Sequence, residues 1–193
     1  MKSTAVPRWS SEPLPAILSP EQVARLLEVA AEEMLPYWAI GAFAGLRSAE
    51  LERLAWRDVH FDEKVIEVPA LSSKTASRRF IKIRPNLMAW LKPYQKKHGL
   101  ICPIGLRKRL EADRKAAGFT SWPVNSLRHS FASFHLARFR NAKDLALELG
   151  HMRPDTLFRF YHQRVKRPAA LKYWNIAPSA KGQDASKIQS LAA

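Results

Sequence analysis

Apolar positions recur along this chain in blocks whose spacing changes from helical to alternating and back. The first block opens at Ser19-Pro20-Glu21-Gln22. A serine placed to cap, a proline suited to the first helical position and a glutamine where a capping box wants Glu or Gln predict a helix to about Glu33. Pro36 interrupts the pattern, and the apolar run Tyr37 to Phe43 predicts a buried helix ending near Gly45. Ser48 to Leu54 predicts a short helix with Ser48 as a cap. Two β-branched runs follow, Val65-Ile66-Glu67-Val68 and Phe80-Ile81-Lys82-Ile83, separated by LSSKTASRR; they predict a β-hairpin with a long tip that holds Lys74. Helical spacing returns over Asn86 to Lys97, Leu106 to Ala117, Asn125 to Arg138 and Ala142 to Leu149, with Gly150 as terminator. Shorter helices are expected over Asp155 to His162 and from Pro168 through Tyr173.

These elements describe a mainly α protein with one small antiparallel β-sheet, an α+β class. Residues 1–18, with Pro7, Pro13 and Pro15, read as an extended arm or linker. Residues 19–178 read as one folded domain, and the small, polar residues 179–193 as a frayed C-terminal tail. The chain has 193 residues, 47% of them hydrophobic, enough for one respectable core. Its single cysteine, Cys102, excludes an intramolecular disulfide framework and a multi-cysteine zinc site. Without a membrane-length apolar run or a secretion-type N-terminus, a soluble cytoplasmic protein with no membrane partner is expected.

Charge changes the picture most. Lys and Arg number 32 against 17 Asp and Glu, a net +15. Residues 1–100 carry 15 basic and 11 acidic side chains, whereas residues 101–193 carry 17 and 6, so the excess is concentrated in the second half. Such a balance suits a polyanion and predicts salt-dependent binding to a phosphate backbone; DNA, RNA and an anionic surface are equal candidates on charge alone.

Four segments carry residues able to handle a phosphate. In Gly45-Leu46-Arg47-Ser48-Ala49-Glu50-Leu51, Arg47 offers a bidentate fork that Glu50 would orient. Taken alone it is equally an ordinary arginine beside a helix start. Lys74 in the hairpin tip, with Arg78, Arg79, Lys82 and Arg84 after it, offers an ammonium able to give up a proton, or a merely solvated cationic loop. Asn125-Ser126-Leu127-Arg128-His129-Ser130-Phe131 places Arg128 near a helix N-terminus, where backbone N–H groups favour an anion; His129 and His135 read as structural histidines when considered singly. In LGHMRPDTLFRFYHQ, His151 precedes Tyr161, which shares a helix face with Leu157 and Phe158 and by itself reads as a core aromatic.

Their order is what distinguishes them. Arginine in a GLRxxEL turn, lysine in a β-hairpin, arginine in LRHSFAS, histidine in LGH and then tyrosine, spread over residues 45–161, resembles the signature of the tyrosine recombinases and phage integrases. RPDTLFRFYHQRVKRPAALKYW resembles the C-terminal part of such proteins. The resemblance implies a catalytic domain that cuts and rejoins double-stranded DNA through a 3′-phosphotyrosine. Tyr161 would be the nucleophile, Arg47, Arg128 and His151 would hold the non-bridging oxygens, Lys74 would be the general acid and Glu50 would steady Arg47. Arg78, Arg79, Lys82, Arg153 and Arg159 would contact DNA, with no metal and no cofactor. It further implies a nucleoid-associated protein, monomeric when free and tetrameric on DNA. Relatives carry a helical clamp domain ahead of the catalytic one, and residues 1–18 would correspond to the linker after it.

One position departs from the pattern. The histidine of the family's HxxR motif is here Asn125, which can hydrogen-bond a phosphate but cannot shuttle a proton near neutral pH. The base role would be dispensable, weakened or passed to His129 or His162. The competing expectation is a recombinase-fold DNA-binding module without catalysis. An RNA-binding or purely structural basic protein is a third, but the sequence lacks the glycine-aromatic signature of common RNA modules.

Overall fold

The computed structural model describes residues 15–70, 78–150, 157 and 165–179. α1 (Pro20–Val29) starts at the expected capping box: Ser19 Oγ accepts from the Gln22 N–H at 3.2 Å, and Gln22 Oε1 accepts from the Ser19 N–H at 2.8 Å. It stops four residues before the predicted end, and a 3₁₀ turn (Glu32–Met34) follows. α2 (Leu35–Ala44) includes Pro36 in its first turn, where no backbone donor is lost, so the proline begins the helix that it was expected to precede. Every residue from Pro36 to Ala44 is buried, as an all-apolar helix requires. α2 is the axis of the fold.

α3 (Ser48–Leu51) is a single turn capped at Arg47 rather than Ser48. After a 3₁₀ turn (Trp56–Asp58) come β1 (Val59–His60), β2 (Val65–Val68) and β3 (Arg79–Lys82), an antiparallel sheet in that order. β1 was missed in the sequence because two residues are too few to establish a period. In the β2–β3 register Ile66 faces Ile81 and Val68 faces Arg79, so Arg79 shares the inward face of the sheet with Ile81. Phe80 and Lys82 point outward.

The remaining helices are α4 (Pro85–Leu91), α5 (Leu106–Ala116), α6 (Ser126–Phe139), α7 (Ala142–Leu149) and α8 (Arg167–Trp174). α4 is shorter than predicted because Pro93 turns the chain into a 3₁₀ segment (Lys92–Tyr94). α8 closes the core from outside: Tyr173 stacks on Phe134 of α6 with centroids 4.1 Å apart, and its hydroxyl donates to the Ala42 carbonyl of α2. Trp174 Nε1 donates to the Phe134 carbonyl at 3.1 Å. Among the described residues no helix is long and apolar enough to cross a membrane. The arm over residues 1–14, the hairpin tip over residues 71–77, the predicted helix Asp155 to His162 apart from the buried Leu157, and the tail from residue 180 lie outside the described residues.

Candidate active site

The arginine of the LRHSFAS segment ties three of the four singled-out segments together. α2 ends at Gly45 in the left-handed region, φ 65°, where a side chain would also overlap the Phe131 ring, so both conformation and space require glycine. α7 ends in the same way at Gly150, φ 67°. Arg128, in the first turn of α6, is only 7% exposed and reaches both ends: Nη1 donates to the Gly45 carbonyl at 2.8 Å and Nη2 to the Leu149 carbonyl at 2.7 Å. A cation between the carbonyl ends of two helices is favoured by both dipoles. The Arg47 turn, Arg128 and the backbone leading into His151 are thus held around one guanidinium.

A second set of bonds runs through Glu50, whose side chain is 2% exposed. Its Oε2 accepts from the Arg47 N–H at 2.9 Å and its Oε1 from Arg47 Nη1 at 2.8 Å, so the expected orienting role has direct geometry. Arg79 grips the other side of the same carboxylate, Nη1 to Oε1 at 3.1 Å and Nη2 to Oε2 at 2.6 Å, and sends Nε to the Glu148 carbonyl at 2.9 Å. Burial pushes the Glu50 carboxyl up, but hydrogen bonds from Arg79 and the Arg47 N–H, with the charge of Arg79, outweigh it and hold the group below the usual carboxylate range.

Arg79, expected from the resemblance to contact DNA, lies inside the fold, 6% exposed. The strand period carried the signal, since Arg79, Ile81 and Ile83 alternate with Phe80 and Lys82. Arg78 and Lys82, by contrast, are exposed. Arg78 pairs with Glu67 at 2.7 Å and lies over the Phe80 ring, and Lys82 stands 3.4 Å from Asp144.

Asn125 caps α6 from a left-handed conformation, φ 55°, and is exposed. Its carbonyl accepts from the His129 N–H at 2.9 Å, and it lines a cavity of about 30 Å³ together with Ser48, Arg114, Ser126 and Arg128. His129 is half-buried. Lys74, His151, Arg153, Arg159, Tyr161 and His162 lie outside the described residues.

Arg84 and Glu148 were not assigned a site role from sequence. Arg84 Nη2 donates to both oxygens of Glu148, at 3.1 and 3.0 Å, and its guanidinium sits among the rings of Phe131, Phe139 and Trp174. Burial raises the Glu148 carboxyl above its usual range despite Arg84. His135 Nε2 is 4.0 Å from Glu148, but burial, with Arg84 and Lys82, depresses the imidazole to about 3, so the ring is neutral and the contact is not an ion pair. The helical face of Ala142, Leu145 and Leu149 marked Glu148 as inward-facing, but nothing in the sequence named its partner.

Arg47, Arg79, Arg84 and Arg128 outnumber Glu50 and Glu148 by two positive charges within this cluster. Such an excess in a water-poor setting suits an anion with two negative oxygens. Among the described residues no cluster of metal-ligating side chains occurs.

No curated protein sequence matches the chain significantly. Several solved structures share its fold, among them three recombinase or integrase chains. The XerA recombinase aligns with a TM-score of 0.64 and 21% identity, covering 83% of this chain and 64% of that one. The catalytic domain of bacteriophage HP1 integrase aligns at 0.58 and 23%, covering 89% and 94%. The integrase from mycobacterium phage Brujita aligns at 0.60 and 19%, covering 92% and 64%. This chain therefore spans less than two thirds of the XerA and Brujita proteins and nearly all of the HP1 domain. Residues 16–167 match the model of the phage integrase family, which takes in all four singled-out segments. The chain belongs to that family, the tyrosine recombinases.

Proposed function

We propose that the protein is a site-specific DNA recombinase that cuts and rejoins double-stranded DNA through a covalent 3′-phosphotyrosine. The observation that carries the reading is the bridging of the Gly45 turn and the α7 terminus by Arg128. In this reading Tyr161 Oη attacks the phosphorus in line and gives up its proton to water, the phosphotyrosyl bond forms, and the bond to the 5′ oxygen breaks. That oxygen leaves with a proton from Lys74, and a 5′-hydroxyl from the other strand reverses the step. No net bond energy is lost, so no external energy source is needed. Catalysis is a matter of holding charge and geometry at the pentavalent phosphorus. Arg47, Arg128 and His151 hold its non-bridging oxygens, and Glu50 keeps Arg47 in place. Arg78, Lys82, Arg153 and Arg159 contact the flanking backbone, and the assembly on DNA is tetrameric.

The test begins with a randomised duplex pool, from which the protein enriches its own site. A nicked version of that duplex traps the covalent intermediate. Wild type is expected to give an SDS-stable adduct, while Tyr161→Phe gives none and binds the duplex with near-normal affinity. An adduct with the Phe variant removes Tyr161 from the chemistry. The exposed Asn125 in place of histidine favours a second reading, a DNA-binding module of the same fold without catalysis. Tight duplex binding with no adduct from wild type would select it.

A further inference from the structure

We propose that Arg79 is a positioning residue of this active site and not a DNA contact. It locks the Arg47 turn to the helix end that leads into His151, and it preserves the positive charge of Arg47 for the phosphate. The inference rests on the recombinase reading above.

A guanidinium on the inward face of a strand is costly unless its donors are met. Arg79 meets that cost with three bonds to two distant elements: two to the Glu50 carboxylate on α3 and one to the Glu148 carbonyl on α7. The packing around it is equally tight. A Cβ on Gly150 would lie 2.7 Å from Arg79 Cδ and 3.0 Å from Nε, so the glycine before His151 makes room for this side chain. Arg128 holds the next carbonyl back, that of Leu149. Two arginines therefore grip consecutive carbonyls immediately ahead of Gly150 and His151.

The second effect is electrostatic. Each Glu50 oxygen accepts one bond from Arg47 and one from Arg79. Two guanidinium groups share one carboxylate, and the trio keeps one net positive charge. Without Arg79 the carboxylate would be matched by Arg47 alone, and the pair would be neutral. The loss would fall on stabilisation of the pentavalent phosphorus, where charge is greatest, and not on duplex affinity.

The experiment measures single-turnover adduct formation on the nicked duplex at saturating protein, beside duplex affinity as a function of salt and a thermal melt. Arg79→Met is expected to slow cleavage ~100-fold, the scale of a small misplacement in an active site, with the salt slope of binding unchanged. Arg79→Lys keeps the charge but loses the fork and the bond to Glu148, and should lose ~10-fold. Glu50→Gln combined with Arg79→Met frees Arg47 from a neutralising carboxylate, so this double variant should cleave faster than Arg79→Met alone. Relief of the stranded Glu50 carboxylate would restore the thermal melt as well, so rates are compared at a temperature where both variants are fully folded, and there recovered stability alone does not raise the rate.

Wild-type cleavage by Arg79→Met, or a double variant no faster than the single, overturns the proposal. So does a binding defect whose salt slope falls by about 1, the mark of one lost phosphate contact. If Arg79→Met does not fold, Arg79→Lys and the double variant decide: wild-type rates in the lysine variant, or a double variant slower than it by ~10-fold or more, the gap expected of Arg79→Met without recovery, overturn the proposal. Absence of a Tyr161-dependent adduct in wild type overturns the recombinase reading, and this inference with it.

Discussion

His135 carries its imidazole in the middle of α6, 2% exposed, with Nδ1 lacking a hydrogen-bond partner among the described residues. Burial, reinforced by Arg84 and Lys82, lowers its pKa from the ordinary 6.5 to about 3. The unfolded chain therefore takes up a proton at this site before the folded protein does, and folding stability falls as pH drops from about 6.5 towards about 3. Glu148 acts in the opposite sense, because its raised carboxyl accepts a proton in the folded state first. Glu50 acts in the same direction as His135: its depressed carboxyl gives stability that is lost as pH falls through the folded value. His135→Leu is expected to flatten the decline between pH 6.5 and 4, measured as the urea midpoint against pH. Parallel curves for the two proteins would show that the histidine is not the source. Asn125 was legible as a departure from the family pattern. Its left-handed φ of 55° was not, although asparagine is among the few non-glycine residues that tolerate it.

At the level of elements, the hairpin and α7 are joined by arginines that emerge from β3 and just beyond it. Arg79 reaches the Glu148 carbonyl and Arg84 reaches the Glu148 carboxylate, so one residue at the end of α7 takes both. The Arg84–Glu148 pair is buried, with 12% and 5% of the two side chains exposed. Removing one member leaves the other charge stranded. Arg84→Met should destabilise the fold by ~3–5 kcal/mol, and adding Glu148→Gln should recover a large part of the loss. Chemical denaturation of the two variants and wild type measures both quantities, and an additive double variant would deny the coupling. Most of these elements could be read from the sequence. The Ser19 capping box, the all-apolar run of α2 and the span Ala142–Leu149 are local signals and occur as expected. β1 and the shortening of α1 and α4 were not legible, because short strands and 3₁₀ turns are decided by pairing and packing beyond the local window.

For the whole molecule, the +15 charge predicts how binding depends on salt. A protein of this family that neutralises ~6 phosphates on a duplex should show a slope of about −5 in log affinity against log salt. Fluorescence anisotropy with a labelled duplex measures it. A slope near zero would mean that the charge serves solubility and not DNA. The same titration with duplex RNA separates a DNA-specific surface from a general polyanion surface.

The order of the longer helices and of the β2–β3 hairpin, the basic balance and the family were legible in the chain itself. They rest on period, caps and the succession of short segments, each readable within a few neighbouring residues. Which charges meet was decided only by folding. Arg79 looked like one more cation of a solvated hairpin, yet its partners stand 29 and 69 residues away, and only the tertiary fold, with β3 packed against α7, brings them within bonding distance. A buried charge must find its counter-charge in three dimensions, and linear spacing carries no record of that requirement.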